Sequence, residues 1–187
     1  MDIATCDVRA LKLGEPLALN GLVYTGRDRL HKYLHDGGAL PEGIDLRRAA
    51  LYHCGPVMLH TPAGWRMVAG GPTTSSREEP YEAEIIERFG LRLIIGKGGM
   101  GARTLEACRR FGCVYLQAVG GAATLIANTV TAVEGVDFLE TFGAAEALWH
   151  LRVKDFPVVV AMDAHGNSLY DRVQARSAQQ LAQLLNA

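Results

Sequence analysis

Leu91-Arg92-Leu93-Ile94-Ile95-Gly96-Lys97-Gly98-Gly99-Met100-Gly101 decides the fold class, because an apolar run of the buried type stops there in a glycine-rich turn. Short, nearly unbroken apolar runs suit strands covered on both faces, and such strands belong to sheets flanked by helices. The neighbouring segments agree. Upstream, Pro80 suits the first turn of a helix whose apolar side is Ile85, Ile86 and Phe89, and Gly90 is placed to end it. Downstream, Thr104 to Phe111 has helical spacing closed by Gly112. Val114 to Val119 reads as a strand, and Ala122 to Asn128 as a short helix of small residues after Gly120-Gly121. Strand and helix alternate, which predicts an α/β fold.

Further out, Leu17 to Thr25 reads as a strand or hairpin arm, and Arg27 to Leu34 as a helix that stops at Gly37-Gly38. Ala49 to His53 is a second apolar run, ended by Cys54-Gly55-Pro56. Thr61-Pro62-Ala63-Gly64 is a turn into a strand from Trp65 to Ala69. Towards the C-terminus, Leu148 to Val153 and Phe156 to Met162 read as two strands, Asp163 to Asn167 as a turn, and Val173 to Leu185 as an amphipathic helix. No repeat, low-complexity tract or linker divides the chain. Residues 1–187 are therefore expected to form a single layered β/β/α domain with a mixed sheet.

The formal net charge of -1 gives no reason to expect nucleic acid or an anionic membrane as partner, since either usually needs a clustered cationic excess. Met1 to Asp7 contain no basic segment leading into an apolar run, and no stretch approaches the roughly 18 apolar residues of a membrane span, so a cytoplasmic protein is expected. Cys6, Cys54, Cys108 and Cys113 form no CxxC pair and match no histidine spacing. They are expected to be ordinary buried thiols, with no metal ligands in this chain.

Three segments carry candidate chemistry. Gly70 to Arg77 packs two glycines, a proline, four consecutive hydroxyls and a cation between a strand and a helix. Glycine lets a ligand approach the backbone, hydroxyls donate hydrogen bonds, and Arg77 offers a fork for a carboxylate or phosphate; the competing reading is a Ser/Thr-rich surface turn. Gly96 to Gly101 places Lys97 at a strand-to-helix crest, although it is neither a Walker A loop nor GxGxxG, and a tight turn is its competing reading. In Thr25-Gly26-Arg27-Asp28, Arg27 sits at a strand end where it can clamp an anion, and His31 follows one helical turn later, placed to handle a proton or orient a neighbour. As isolated residues both are also ordinary surface groups. His53, His60, His150 and His165 have no distinguishing spacing and read as structural or exposed. Cations at Arg27, Arg77 and Lys97 with a block of hydroxyls suit a small substrate bearing two carboxylates. No nucleophile elbow, dinucleotide fingerprint or metal-ligand set accompanies them, so an electrophile must come from a partner protein.

In order, Thr25-Gly26-Arg27-Asp28, Gly71-Pro72-Thr73-Thr74-Ser75-Ser76-Arg77, Ile95-Gly96-Lys97-Gly98-Gly99-Met100 and Val153-Lys154-Asp155-Phe156-Pro157 resemble the β subunit of class I iron-sulfur hydro-lyases. That group includes class I fumarate hydratase, where the equivalent is a C-terminal domain, and the two-subunit L(+)-tartrate dehydratase. The resemblance runs from about Leu17 to Tyr170. It implies a swivelling β/β/α domain in a hetero-oligomer, with an α subunit that holds a [4Fe-4S] cluster. It implies reversible addition or removal of water on a small dicarboxylate, fumarate or malate first and tartrate or oxaloacetate next. Position by position it implies that Arg27, Arg77 and Lys97 bind substrate together with Gly71 and Thr74, that Thr73 stands at the reacting carbon, and that His31 is an active-site histidine. A threonine hydroxyl is a poor base unless nearby positive charge lowers its proton affinity, so Thr73 either removes the proton or orients the substrate. The chain departs from the family at Glu78-Glu79, where an uncharged residue commonly follows the arginine. These carboxylates either compete for Arg77 or, as expected here, point to solvent at the start of the helix. The alternative from another class is a non-catalytic carboxylate-binding or partner-stabilising module.

Overall fold

A computed structural model describes residues 1–185. Strands and helices follow the chain as β1 (Pro16–Gly26), α1 (Asp28–His35), β2 (Ala50–His53), β3 (Val57–Thr61), β4 (Gly64–Ala69), α2 (Glu79–Phe89), β5 (Leu93–Gly96), α3 (Ala102–Phe111), β6 (Val114–Gln117), α4 (Ala123–Ala127), β7 (Val130–Asp137), α5 (Leu139–Phe142), β8 (Leu148–Met162) and α6 (Leu169–Leu185). β1, β2, β5 and β6 are parallel neighbours in that order. β8 pairs antiparallel with both β1 and β6, which closes the circuit, and β7 adds antiparallel to β8. The sheet is mixed, as expected. β3 and β4 form a separate two-stranded ribbon.

The apolar run lies at the centre of this arrangement. Leu93 and Ile95 face one core with Tyr52, Leu116, Trp149 and Phe156. Ile94 faces a second core with Leu30, Leu34, Ile85, Ile86 and Cys108 from α1, α2 and α3. Successive strand residues point to opposite faces, and here both faces are covered, so the run needs no polar member.

The structure corrects the expected strands in three places. Leu148 to Val153 and Phe156 to Met162 are one strand, not two: Asp155 takes a left-handed φ of 54° and bends β8 without ending it. Along β8 the second neighbour changes from β7, which pairs as far as Val153, to β6, which pairs from Val159. Such a mid-strand kink re-aims a strand between two partners. β7 and β3 were not expected, because both are short of unbroken apolar sequence and half exposed. The C-terminal helix begins earlier than expected, at Leu169, and buries none of its described residues. Among the described residues no helix is long and apolar enough to cross a membrane.

Candidate active site

The parallel strands β1, β2 and β5 end level with one another, and the chain leaves them at Arg27, Cys54 and Lys97. Crevices beyond the C-terminal ends of parallel strands are where open sheets place ligands. The Gly70 to Arg77 loop is laid across these ends. The Thr73 amide donates to the His53 carbonyl at 2.6 Å, and the Ser75 amide donates to the Lys97 carbonyl at 3.0 Å. Bridges Cys54 to Pro72 and Thr74 to Lys97 complete the lacing. Arg27, Gly71, Thr73, Thr74, Arg77 and Lys97, distant in sequence, thus come to one end of the sheet. Gly98 and Gly99 have φ of +81° and +82°, and a Cβ on Gly99 would stand 2.7 Å from the Tyr170 ring, so the turn itself requires glycine there.

The arginines converge on one carboxylate. Arg77 Nε donates to Asp28 Oδ1 at 3.0 Å, and its terminal nitrogen closes the fork on Asp28 Oδ2. Arg27 Nη2 lies 3.7 Å from that same oxygen, and its Nε lies 3.5 Å from Glu146. The half-buried Lys97 ammonium has no carboxylate within 4.0 Å among the described residues, and the Thr73 and Thr74 hydroxyls have no hydrogen bond there. A groove of about 390 Å³ between α2 and α3, lined in part by Ala83, Glu87, Arg103 and Glu106, includes none of these residues. The loops form a shelf on which Thr74, Ser76, Arg77 and Gly98 are exposed.

Neither Glu78 nor Glu79 points to solvent, which corrects the expectation for both, and the carboxylate that holds Arg77 is Asp28. Glu79 reaches across to the start of α3. It accepts from the Gly101 amide at 2.7 Å, the Arg103 amide at 3.2 Å and the Thr104 hydroxyl at 2.7 Å. A helix N-terminus presents unpaired N–H groups and a partial positive charge, and a carboxylate satisfies both. Replacing Glu79→Ala is expected to destabilise the chain by about 1–2 kcal/mol, read as a lower midpoint in urea unfolding at unchanged slope. Glu78 is fully buried beside His31.

Beneath the shelf lies a cluster that the sequence reading missed in part. His31, His53 and Glu82 are fully buried, and their donor atoms all lie within 4.8 Å of one another. Burial by itself pushes His31 down, but the Glu82 and Glu78 carboxylates outweigh it and hold the imidazole up at about 9. Burial opposes ionisation of Glu82, yet the two imidazoles keep it down at about 2. His53 is pushed down by burial. Burial raises Glu78 to about 7 against the pull of His31. His53 was expected to be merely structural or exposed. The overlooked signal is periodicity, since Glu82 stands three and four residues before the buried Ile85 and Ile86, and His31 three before the buried Leu34. An ionisable residue on the apolar stripe of a helix needs a buried partner.

The cysteines are free and buried. Among the described residues they join no group of metal-ligating side chains, and burial pushes Cys54 up to about 12, away from the thiolate form that binds metal. This chain's thiols therefore do not fit an iron-sulfur cluster, and no reaction step is assigned to them.

Residues 2–173 match the family model described as Fumarase C-terminus. The chain belongs to that family. It is 54% identical over 177 residues to a protein of Geobacillus stearothermophilus named as a class I fumarate hydratase; the match covers 94% of this chain but 34% of the relative, so the chain spans about a third of that relative's length. It is 42% identical over 184 residues to a protein of Methanocaldococcus jannaschii named as an L(+)-tartrate dehydratase subunit beta, covering 96% of this chain and 93% of the relative. Its identity to the L(+)-tartrate dehydratase subunit beta of Escherichia coli is 40% over 164 residues, covering 87% and 81%. The fumarase C-terminus family thus occurs both as part of a longer chain and as a separate β subunit, and the chain is of the class I hydro-lyase β-subunit type.

Proposed function

We propose that residues 1–187 form one swivelling β/β/α domain, of which 186 and 187 lie outside the described residues, and that the chain is the β subunit of an iron-sulfur-dependent hydro-lyase acting on a small dicarboxylate. Fumarate and malate are the first candidates, tartrate and oxaloacetate the next. The α subunit holds the [4Fe-4S] cluster, and the two chains assemble into a hetero-oligomer in the cytoplasm, where buried thiols such as these stay reduced. The observation that carries this reading is the convergence of Arg27 and Arg77 on a single carboxylate. Asp28 marks the place and orientation that a substrate carboxylate takes when it enters the Arg77 fork.

Lys97 takes the second carboxylate, with its charge uncompensated by the chain. Gly71 contributes its backbone, packed so that a Cβ there would stand 3.3 Å from the Ala123 Cβ, and the Thr74 hydroxyl is available as a donor. The Thr73 backbone is pinned to His53, and its hydroxyl, unpartnered among the described residues, is the group that meets the reacting carbon. There it either removes the proton or orients the substrate for a carboxylate of the partner. His31 stands directly beneath Arg27. An exposed shelf leaves one face of the substrate uncovered, which is the face the partner closes.

The test is conversion of fumarate, malate and tartrate by the chain alone and by the chain co-expressed with its partner. Turnover is expected only from the assembled pair, with iron found in the pair and absent from the chain alone. Turnover by a metal-free preparation of the chain by itself sinks the reading.

A further inference from the structure

We propose that Glu82, with His53, is a positioning pair that keeps His31 as a buried imidazolium beneath Arg27 and ties the Thr73 to Arg77 loop to it. For its catalytic readout this rests on the hydro-lyase reading above; for its chemistry it rests on hydrogen-bond direction and on the 3.0 Å ion-pair contact of His31 with Glu82. A carboxylate only accepts hydrogen bonds. His53 Nε2 donates to Glu82 Oε2 at 3.2 Å; His31 Nε2 lies 3.0 Å from the same oxygen as an ion-pair contact without hydrogen-bond geometry, and it carries hydrogen because two facing lone pairs would repel at that distance. His31 Nδ1 lies 2.8 Å from the Arg27 carbonyl, another acceptor, so that nitrogen carries hydrogen too. With a carbonyl acceptor on one nitrogen and a carboxylate 3.0 Å from the other, His31 is cationic.

His53 resolves differently. Tyr115 donates its hydroxyl to Ser75 Oγ at 2.9 Å, which leaves the Ser75 hydrogen for His53 Nδ1, also at 2.9 Å. His53 is therefore the neutral tautomer with hydrogen on Nε2. The resulting chain runs from Tyr115 through Ser75 and His53 to Glu82, and from Glu82 through His31 to the Arg27 carbonyl. The raised His31 and lowered His53 proton affinities accord with this assignment. In this assignment the hydrogens occupy the lone pairs that a metal ion among His31, His53 and Glu82 would need.

Glu82 is the hub because each branch ends on a site loop. His31 grips Arg27 twice, through its ring at 2.8 Å and its amide at 3.0 Å. The His53 carbonyl holds Thr73, and Ser75 joins the Lys97 carbonyl. The charged and titratable groups around His31 are Arg27 and Asp28 from the β1–α1 corner, Glu78 and Glu82 from α2, and His53 from β2. Glu78 Oε2 lies 3.6 Å from His31 Nδ1 and Glu82 Oε2 lies 3.0 Å from its Nε2, so Glu82 is the nearer of the two carboxylates that hold the imidazolium.

The signs follow. His31 binds its proton more tightly in the folded chain than in the unfolded one, so its contribution to stability is complete below about pH 6.5 and fades as pH rises through about 9. The Glu82 contribution is present above the ordinary carboxylate range and fades as pH falls through about 2.

The first experiment records proton-nitrogen correlations of the histidine rings in the full chain. His31 is expected to remain doubly protonated at pH 7 and to titrate near 9, with His53 neutral and protonated on Nε2. In Glu82→Gln, His31 is expected to titrate at least about one pH unit lower. In the assembled complex, Glu82→Gln is expected to lower kcat about tenfold or more at pH 8 with KM little changed, and to move the alkaline limb of the pH profile down by a similar interval, while Glu82→Asp restores part of both. A neutral His31 at pH 7 in the unaltered chain overturns the proposal whether or not any variant folds. So does an unchanged His31 titration in Glu82→Gln, or a zinc ion retained through EDTA dialysis and lost with Glu82. If the assembled complex turns over no dicarboxylate, the hydro-lyase reading fails, and the ring spectra still decide the positioning pair.

Discussion

Lys97→Ala in the assembled complex is expected to lower turnover by about a hundredfold or more, as removal of a preorganised electrostatic group does. Its ammonium has no carboxylate partner among the described residues, so its full charge is available to a substrate anion. Its backbone is fixed from both sides: the Lys97 carbonyl accepts from the Ser75 amide at 3.0 Å, and the preceding Gly96 carbonyl accepts from Ala118 at 2.8 Å. The side chain contributes little to folding. Near the nominal Cβ of Gly120 its Cδ lies at 3.6 Å, and it reaches no buried partner, so the variant is expected to unfold within about 0.5 kcal/mol of the parent. Thr73→Ala is expected to have a comparable effect on turnover, again with assembly intact. Steady-state kinetics beside an assembly measurement separate the readings. If turnover survives both changes, the chain is a binding module and the catalytic proposal fails.

Gly96→Ala is expected to destabilise the fold by about 3 kcal/mol and to abolish activity of the complex. The reason is space alone. A Cβ built on Gly96 would stand 1.9 Å from Ser75 Oγ, 3.0 Å from the Tyr115 hydroxyl and 3.2 Å from His53 Nδ1. All three atoms belong to the buried chain of hydrogen bonds beneath the shelf, and each side chain is enclosed, so none can retreat cheaply. Displacing Ser75 breaks its links to His53 and Tyr115 and shifts the loop that carries Thr73 and Arg77. Gly120→Ala is the control. Its Cβ meets only the flexible Lys97 side chain at ordinary contact distance, and its stability is expected within about 0.5 kcal/mol of the parent in the same urea titration. Equal midpoints for the two variants would show that the space at Gly96 is not closed.

What the sequence by itself determined is everything written in nearest neighbours. The unbroken run before Gly96 announced a strand covered on both faces, and the strand-turn-helix order placed Lys97 at the crest where α/β sheets bind ligands. The same local reading failed where a partner decides the outcome. β7 carries little apolar signal and is a strand because β8 offers it an edge; β8 stays whole through Asp155 because β1 pairs with it on both sides of the kink. The site divides in the same way. Arg27, Arg77, Lys97, Thr73 and His31 were legible as candidates, by residue type at loop and helix-start positions. That Arg77 meets Asp28, 49 positions away, rather than the adjacent glutamates was not legible. Nor was the meeting of His31 on α1, His53 on β2 and Glu82 on α2. Periodicity names which face of an element is buried, but which buried charge finds which partner depends on how separate elements pack. Only the tertiary structure sets that distance, and with it the protonation of the cluster.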